Sequence, residues 1–155
     1  MVKVVFVCLG NICRSPMAEF ILKNIVKSRG LEENFLIESR GTSDEENGND
    51  MDPRAKAYLD EKKVPYEKRA ASRLQKEDYD KYDFLITMDD KNMYYMSQIL
   101  EKDRDDKKLF KLLDFSNYPR NIKDPYYTKN FEEAYNDILE GCLCFMKYLK
   151  DNNII

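Results

Sequence analysis

The sequence predicts an α/β protein, one domain built on an open parallel sheet with helices on both faces. Three observations carry this. Strand-like apolar runs alternate along the chain with segments of helical periodicity. The first run, Lys3 to Cys8, is almost wholly apolar, as a strand covered on both faces must be. The chain has 155 residues, enough for one domain to bury its own core without a disulfide or metal staple.

The elements follow in order. Lys3 to Cys8 is the first strand, and Gly10 and Asn11 break it. Ser15 is suited to cap a helix that has Pro16 at its first position. Met17, Phe20, Ile21, Ile25 and Val26 then recur at helical spacing, and the helix ends near Gly30. Phe35 to Ser39 is a second strand, and Gly41 to Asp52 a polar loop. Asp52 caps a helix with Pro53 first, Lys62 and Lys63 at its end, and Pro65 stopping it. Asp83 to Met88 is a third strand, Lys91 to Lys102 a helix, and Leu109 to Leu113 a fourth strand. Ser116 to Thr128 is a loop with Pro119 and Pro125. A last helix runs from about Asn130 to Lys150, with Phe131, Tyr135, Ile138, Cys142, Met146 and Leu149 on one stripe.

Composition excludes several function classes. Lys and Arg total 26 and Asp and Glu 29, for a net charge of −3, which gives no electrostatic reason to expect nucleic acid as a partner. The apolar run at Val4 to Leu9 is too short to span a membrane or to serve as a signal-peptide core. A cytoplasmic protein, monomeric and not inserted in membrane, is expected. There is no His, so a Ser-His-Asp triad, a Cys-His pair and an HExxH zinc site are all excluded. The four cysteines, Cys8, Cys13, Cys142 and Cys144, have poor spacing for zinc. No metal or other cofactor is expected.

In an open parallel sheet, ligands bind beyond the carboxyl ends of the strands. The loop from Cys8 to Ser15 reads Cys-Leu-Gly-Asn-Ile-Cys-Arg-Ser and lies at such a place, between a strand and a helix. Successive amides of Leu9, Gly10, Asn11, Ile12, Cys13 and Arg14 in a tight turn form an anion nest, and the helix N-terminus adds its donors. Arg14 adds a planar fork for two phosphate oxygens. A cup that attracts a phosphate dianion also favours a thiolate at Cys8, and the Ser15 hydroxyl is placed to donate to that sulfur. The loop thus activates a nucleophile without imidazole.

The stretch Val7 to Glu19, Val-Cys-Leu-Gly-Asn-Ile-Cys-Arg-Ser-Pro-Met-Ala-Glu, closely resembles the signature of the low-molecular-weight protein tyrosine phosphatases. The resemblance extends through Ser39-Arg40-Gly41-Thr42, Asp52-Pro53-Arg54-Ala55, Thr87-Met88-Asp89 and Asp124-Pro125-Tyr126-Tyr127 to Phe131-Glu132 and Tyr135. It implies a flavodoxin-like sheet of four parallel strands in the order 2-1-3-4. It also implies that Cys8 is a nucleophile forming a phosphocysteine, that Arg14 and the loop amides bind the phosphoryl group, and that Asp124 is general acid and base. Tyr126 and Tyr127 match pocket walls, Asn11 and Ser39 match positions that hold the loop in shape, and Asp89 matches an acid near the loop arginine. The partners so implied are phosphotyrosine-containing proteins or peptides, with inorganic phosphate as product. Cys13, in the same loop as Cys8, is expected to act as a redox guard by forming a reversible disulfide.

The chain departs from the family at two places. Arg69 stands where an imidazole often supports the Asn-Ser network, and Glu45 and Glu46 occupy a stretch that often carries an aromatic residue at the pocket mouth. Three alternatives stay open. An arsenate reductase of related fold needs relay cysteines, for which only Cys142 and Cys144 on the last helix remain. A protein-arginine phosphatase tends to have Thr where Ile12 stands. A catalytically weak phosphotyrosine-binding module would not need Cys8, Arg14 and Asp124 together.

Overall fold

A computed structural model describes residues 1–155. Four parallel strands, β1 (Val2–Cys8), β2 (Phe35–Gly41), β3 (Phe84–Thr87) and β4 (Leu109–Lys111), form one sheet in the order β2-β1-β3-β4. The helices are α1 (Arg14–Ser28), α2 (Pro53–Glu61), the single turn α3 (Asp78–Lys81), α4 (Asp90–Leu100), the single turn α5 (Pro125–Thr128) and α6 (Phe131–Asp151).

β1 is central, and Val4 to Val7 are fully buried. Its side chains alternate between two cores. Val4 and Phe6 join Phe84 and Ile86 beneath α1 and α6, whereas Val5 and Val7 join Leu85 beneath Met93, Met96 and Leu100 of α4. This explains the unbroken apolar run of the first strand. The whole stripe expected on α6, from Phe131 to Leu149, is buried. Asp52 caps α2 by accepting from the Arg54 amide, and Asn130 caps α6 by accepting from the Glu133 amide.

Several local readings are corrected. Ser15 is not the cap of α1. The helix starts at Arg14, two residues before Pro16, its N-cap is Cys13, and no side chain caps it. Ser15 is drawn instead into hydrogen bonds with Cys8 and Asn11 of its own loop and with the Arg40 carbonyl of β2, contacts that override its local capping preference. β4 stops at Lys111, because Leu112 to Phe115 tighten into a 3-10 turn that packs Leu112 and Leu113 against α6. The loop from Ser116 ends early, since Asp124 and Pro125 start a helical turn. α4 ends at Leu100, with Glu101 in the left-handed conformation. Gly41 extends β2 by pairing with Cys8.

Candidate active site

The carboxyl ends of β1 and β2 meet under the loop from Leu9 to Cys13. The loop carbonyls are fastened from behind: Thr42 N–H donates to the Cys8 carbonyl, Ser43 N–H to that of Leu9, and Asp52 N–H to that of Ile12, at 2.8–3.0 Å. The amides of Gly10, Asn11, Ile12, Cys13 and Arg14, by contrast, donate to no group of the protein. α1 has no acidic residue in its first turn. Loop amides and helix end thus present unpaired donors together, which is what an anion requires.

Cys8 sits at the base, 3% exposed. Its sulfur lies 3.0 Å from the Ser15 hydroxyl and accepts a longer contact, 3.4 Å, from the Ser15 amide. Arg14 forms one wall and is buried. Its Nη1 donates to Asp89 and to the Ile122 carbonyl, both at 2.7 Å, and its Nη2 donates at 3.4 Å to Asp124. A buried guanidinium pinned on one edge keeps its other edge for the cup. Asp89 serves twice, since its second oxygen accepts from the Asn92 amide and caps α4. Asp124 caps α5 through the Tyr126 amide, and the following Pro125 fixes its approach.

Behind the loop lies Asn11, buried and with φ of 58°. Its amide nitrogen donates to Ser15 and Ser39, at 2.8 and 3.0 Å. Its oxygen accepts from Arg69 at 2.6 Å and from the Ser72 amide at 3.1 Å. Arg69 therefore does make the supporting contact expected of an imidazole. Gly41 lies directly under the loop, where a Cβ would stand 2.9 Å from the Leu9 carbonyl oxygen.

The cleft holds about 140 Å³ and is lined by the loop residues Cys8, Leu9, Gly10, Ile12, Cys13 and Arg14 together with Asp124, Tyr126, Tyr127, Ser43, Glu45 and Glu46. Tyr126 and Tyr127 are exposed and meet edge to face, 5.2 Å between ring centres. The Arg54 guanidinium lies 5.5 Å from the centre of the Tyr126 ring. Cys13 is buried, and burial, with the Asp52 charge, pushes its thiol well above the ordinary range. Cys142 is buried in the core under α6, and neither it nor Cys144 lines the cleft. No cluster of three or more Cys, Asp or Glu side chains is disposed to hold a metal ion.

The structure thus brings the loop from Cys8 to Ser15 together with Ser39, Asp89, Asp124, Tyr126 and Tyr127, and leaves Cys142 and Cys144 apart from them. It adds three groups that sequence reasoning missed: the Ile122 carbonyl on Arg14, the Ser72 amide on Asn11, and Glu19, which accepts from Ser39 at 2.7 Å. The two backbone groups leave no trace in a sequence. Glu19 leaves one, as an acid within the apolar face of α1.

A thiol at the base of a cup of free amides, flanked by a pinned arginine and a carboxyl group, defines a centre for phosphoryl chemistry. The comparisons agree. The sequence model of the low molecular weight phosphotyrosine protein phosphatase family matches residues 3–154, and the chain belongs to that family. It is 36% identical to the low molecular weight protein-tyrosine-phosphatase PtpA of Staphylococcus aureus, over 99% of this chain and 98% of that protein. Among solved structures, YfkJ from Bacillus subtilis superposes with a TM-score of 0.93 at 31% identity, covering 98% of this chain and 96% of that one. The low molecular weight protein tyrosine phosphatase SP-PTP from Streptococcus pyogenes gives 0.85 at 35% identity, covering 96% and 93%. No helix is long and apolar enough to cross a membrane.

Proposed function

We propose that the chain, acting as one phosphatase domain over residues 1–155, hydrolyses phosphotyrosine monoesters in proteins or peptides through a phosphocysteine on Cys8. The observation that supports it most is the pairing of a buried thiol with free loop amides and the pinned fork of Arg14. In the first step the Cys8 thiolate attacks phosphorus, and the bond to the phenolic oxygen breaks. Asp124, protonated, gives its proton to the departing oxygen. In the second step water attacks phosphorus, Asp124 takes a proton from it, and the sulfur–phosphorus bond breaks. Phosphate leaves and the thiolate is restored. Arg14 and the amides of residues 9–14 hold the equatorial oxygens in both steps.

Tyr126 and Tyr127 flank the substrate ring, and the apolar Ile12 beside the cup suits an aromatic leaving group. The chemistry needs no metal, since the cup supplies the positive field. Cys142, sealed in the core, is no relay for arsenate reduction.

The test is turnover of p-nitrophenyl phosphate and a phosphotyrosine peptide in EDTA. Wild type should turn over both, and Cys8→Ser should lose nearly all activity. Asp124→Ala should lose about 10²–10⁴-fold on phenyl phosphate, the range of a positioned acid, and less on leaving groups that depart unprotonated. Activity retained in Cys8→Ser, or dependence on metal, overturns the reading. An equal loss across leaving groups removes Asp124 from its role.

A further inference from the structure

Beside the cup lies a second recess, of about 220 Å³. It shares Leu9, Arg14, Asp124 and Tyr127 with the cleft already described and adds Asp89, Lys91, Asn92 and Tyr95 from α4 and its cap. Sheet order fixes where it stands. β2 and β3 flank β1 on opposite sides, and all three strands point the same way. The segments that follow β2 and β3 therefore bound the cup, which follows β1, from opposite sides. Glu45 and Glu46 follow β2, and the Glu46 side chain comes within 3.4 Å of where a Cβ on Gly10 would stand. Lys91 and Tyr95 follow β3. The mouth thus has one acidic flank and, across the cup, a flank that carries Lys91.

Most charges of the recess are already engaged. Asp89 accepts from Arg14 and from the Asn92 amide, and Asp124 accepts from Arg14 and from the Tyr126 amide. Asp90 is held by Lys111 and Arg104. The buried Asn92 carboxamide accepts from the Met88 amide. Lys91 is exposed and enters no salt bridge, its neighbour Asp90 being spent elsewhere. Tyr95 is exposed too, its ring edge to face with Tyr94 at 5.3 Å, and its hydroxyl has no partner within the protein. Arg54 and Lys129, both beside the Tyr126 ring, are taken by Asp52 and by the Tyr126 carbonyl.

We propose that this recess is a subsite for an acidic side chain next to the phosphotyrosine, with Lys91 as its specificity-determining residue. The proposal rests on the reading of the cup as a phosphotyrosine site. A carboxylate entering beside Tyr95 and Tyr127 gains an ammonium and a phenolic hydroxyl as donors and breaks no existing pair. A basic side chain there meets an unpaired like charge, and an apolar one strips water from the ammonium without replacing it. Adjacent strands stand about 4.8 Å apart and an extended peptide advances about 3.3 Å per residue, so a residue one or two positions from the phosphotyrosine spans the distance. A peptide laid across the mouth from flank to flank carries one neighbour to Lys91 and the other to Glu45 and Glu46. The site therefore reads the order of charge along the chain as well as its sum. Two carboxylates outweigh one ammonium, so a wholly basic peptide still outranks a wholly acidic one.

The experiment compares two synthetic phosphopeptides of one composition, Lys-Lys-pTyr-Asp-Asp and Asp-Asp-pTyr-Lys-Lys, with capped neutral ends, by kcat/KM at low salt. Their net charge is the same, so general attraction cancels. One exposed ion pair changes affinity about 1.4–5-fold and both flanks contribute, so one order should exceed the other by about 3–10-fold, through KM. The ratio is taken within each variant, so a general change of activity drops out. Lys91→Gln should lower the ratio at least about twofold, and Lys91→Glu should bring it to about one, since both flanks are then acidic. In about 0.5 M salt, where the screening length is roughly 4 Å, the wild-type ratio should close. Equal rates for the two orders in wild type overturn the proposal. So does a ratio unmoved by Lys91→Gln and Lys91→Glu, which leaves the order to Glu45 and Glu46 alone, and so does a ratio that persists in salt, which assigns the preference to shape. Hydrolysis of neither peptide, or activity retained in Cys8→Ser, refutes the parent reading instead, whereas hydrolysis of both at one rate removes only the subsite.

Discussion

Gly41→Ala tests how tightly the sheet supports the loop. Gly41 is pinned on both sides, its amide donating to the Ser72 carbonyl at 2.9 Å and its carbonyl accepting from the Leu74 amide at 2.8 Å. A Cβ there would lie 2.9 Å from the Leu9 oxygen and 3.2 and 3.3 Å from Asn11 Cβ and N. That falls about 0.5 Å short of an ordinary contact, and it meets backbone rather than a movable side chain. The loop must give way. Overpacking of this kind costs about 1–3 kcal/mol, and about 2–4 °C in Tm accompanies each kcal/mol in a domain of this size. A misplacement of about 1 Å costs roughly 100-fold in rate, so half of that predicts on the order of a tenfold loss of kcat. The assay pairs a thermal melt with kcat on p-nitrophenyl phosphate. Gly30→Ala is the control: it has φ of +70° and nothing within 4 Å, so it should lose about 1 kcal/mol and leave kcat alone. Wild-type kcat and Tm in Gly41→Ala, or an equal loss of kcat in Gly30→Ala, would refute the reasoning.

Three further outcomes are expected. After mild peroxide treatment, activity should return with dithiothreitol in wild type and not in Cys13→Ser, because Cys13 can capture an oxidised Cys8 as a disulfide; its raised thiol should make that capture faster as pH rises, and equal recovery of the two proteins removes the role. Phosphopeptides with Lys or Arg beside the phosphotyrosine should show higher kcat/KM than acidic ones, with a gap that narrows in salt and in Glu45→Gln with Glu46→Gln, since both carboxylates line the cleft without a basic partner; equal rates at low salt reduce them to surface charge. Hydrogen bonds from the Arg54 side chain and amide hold the Asp52 carboxyl below its ordinary range, so its folded form favours the charged state and its contribution is present above the unfolded value and lost as pH falls through the folded one. Asp52→Ala should therefore cost about 0.5–2 kcal/mol at pH 7 and progressively less below roughly pH 4, whereas a difference constant with pH assigns the effect to packing.

The sequence by itself determined what depends on neighbours along the chain. β1 was legible as a strand covered on both faces because its apolar run is unbroken. α2 was legible from Asp52 and Pro53 at its start, where the cap and the first turn are contiguous, and α6 from its apolar stripe between Phe131 and Leu149. The Cys8 to Ser15 loop was legible because strand, glycine turn and helix start follow one another within eight residues. The tertiary structure decided what depends on residues brought together from afar. Arg14 meets Asp89 across 75 positions and Asp124 across 110, and Asn11 meets Arg69 across 58. No local pattern encodes such meetings, because they exist only once the sheet has placed the carboxyl ends of its strands side by side. Ser15 shows the same physics in reverse: its local preference is to cap a helix, but folding places the Cys8 sulfur, Asn11 and the Arg40 carbonyl around its hydroxyl, and those partners prevail.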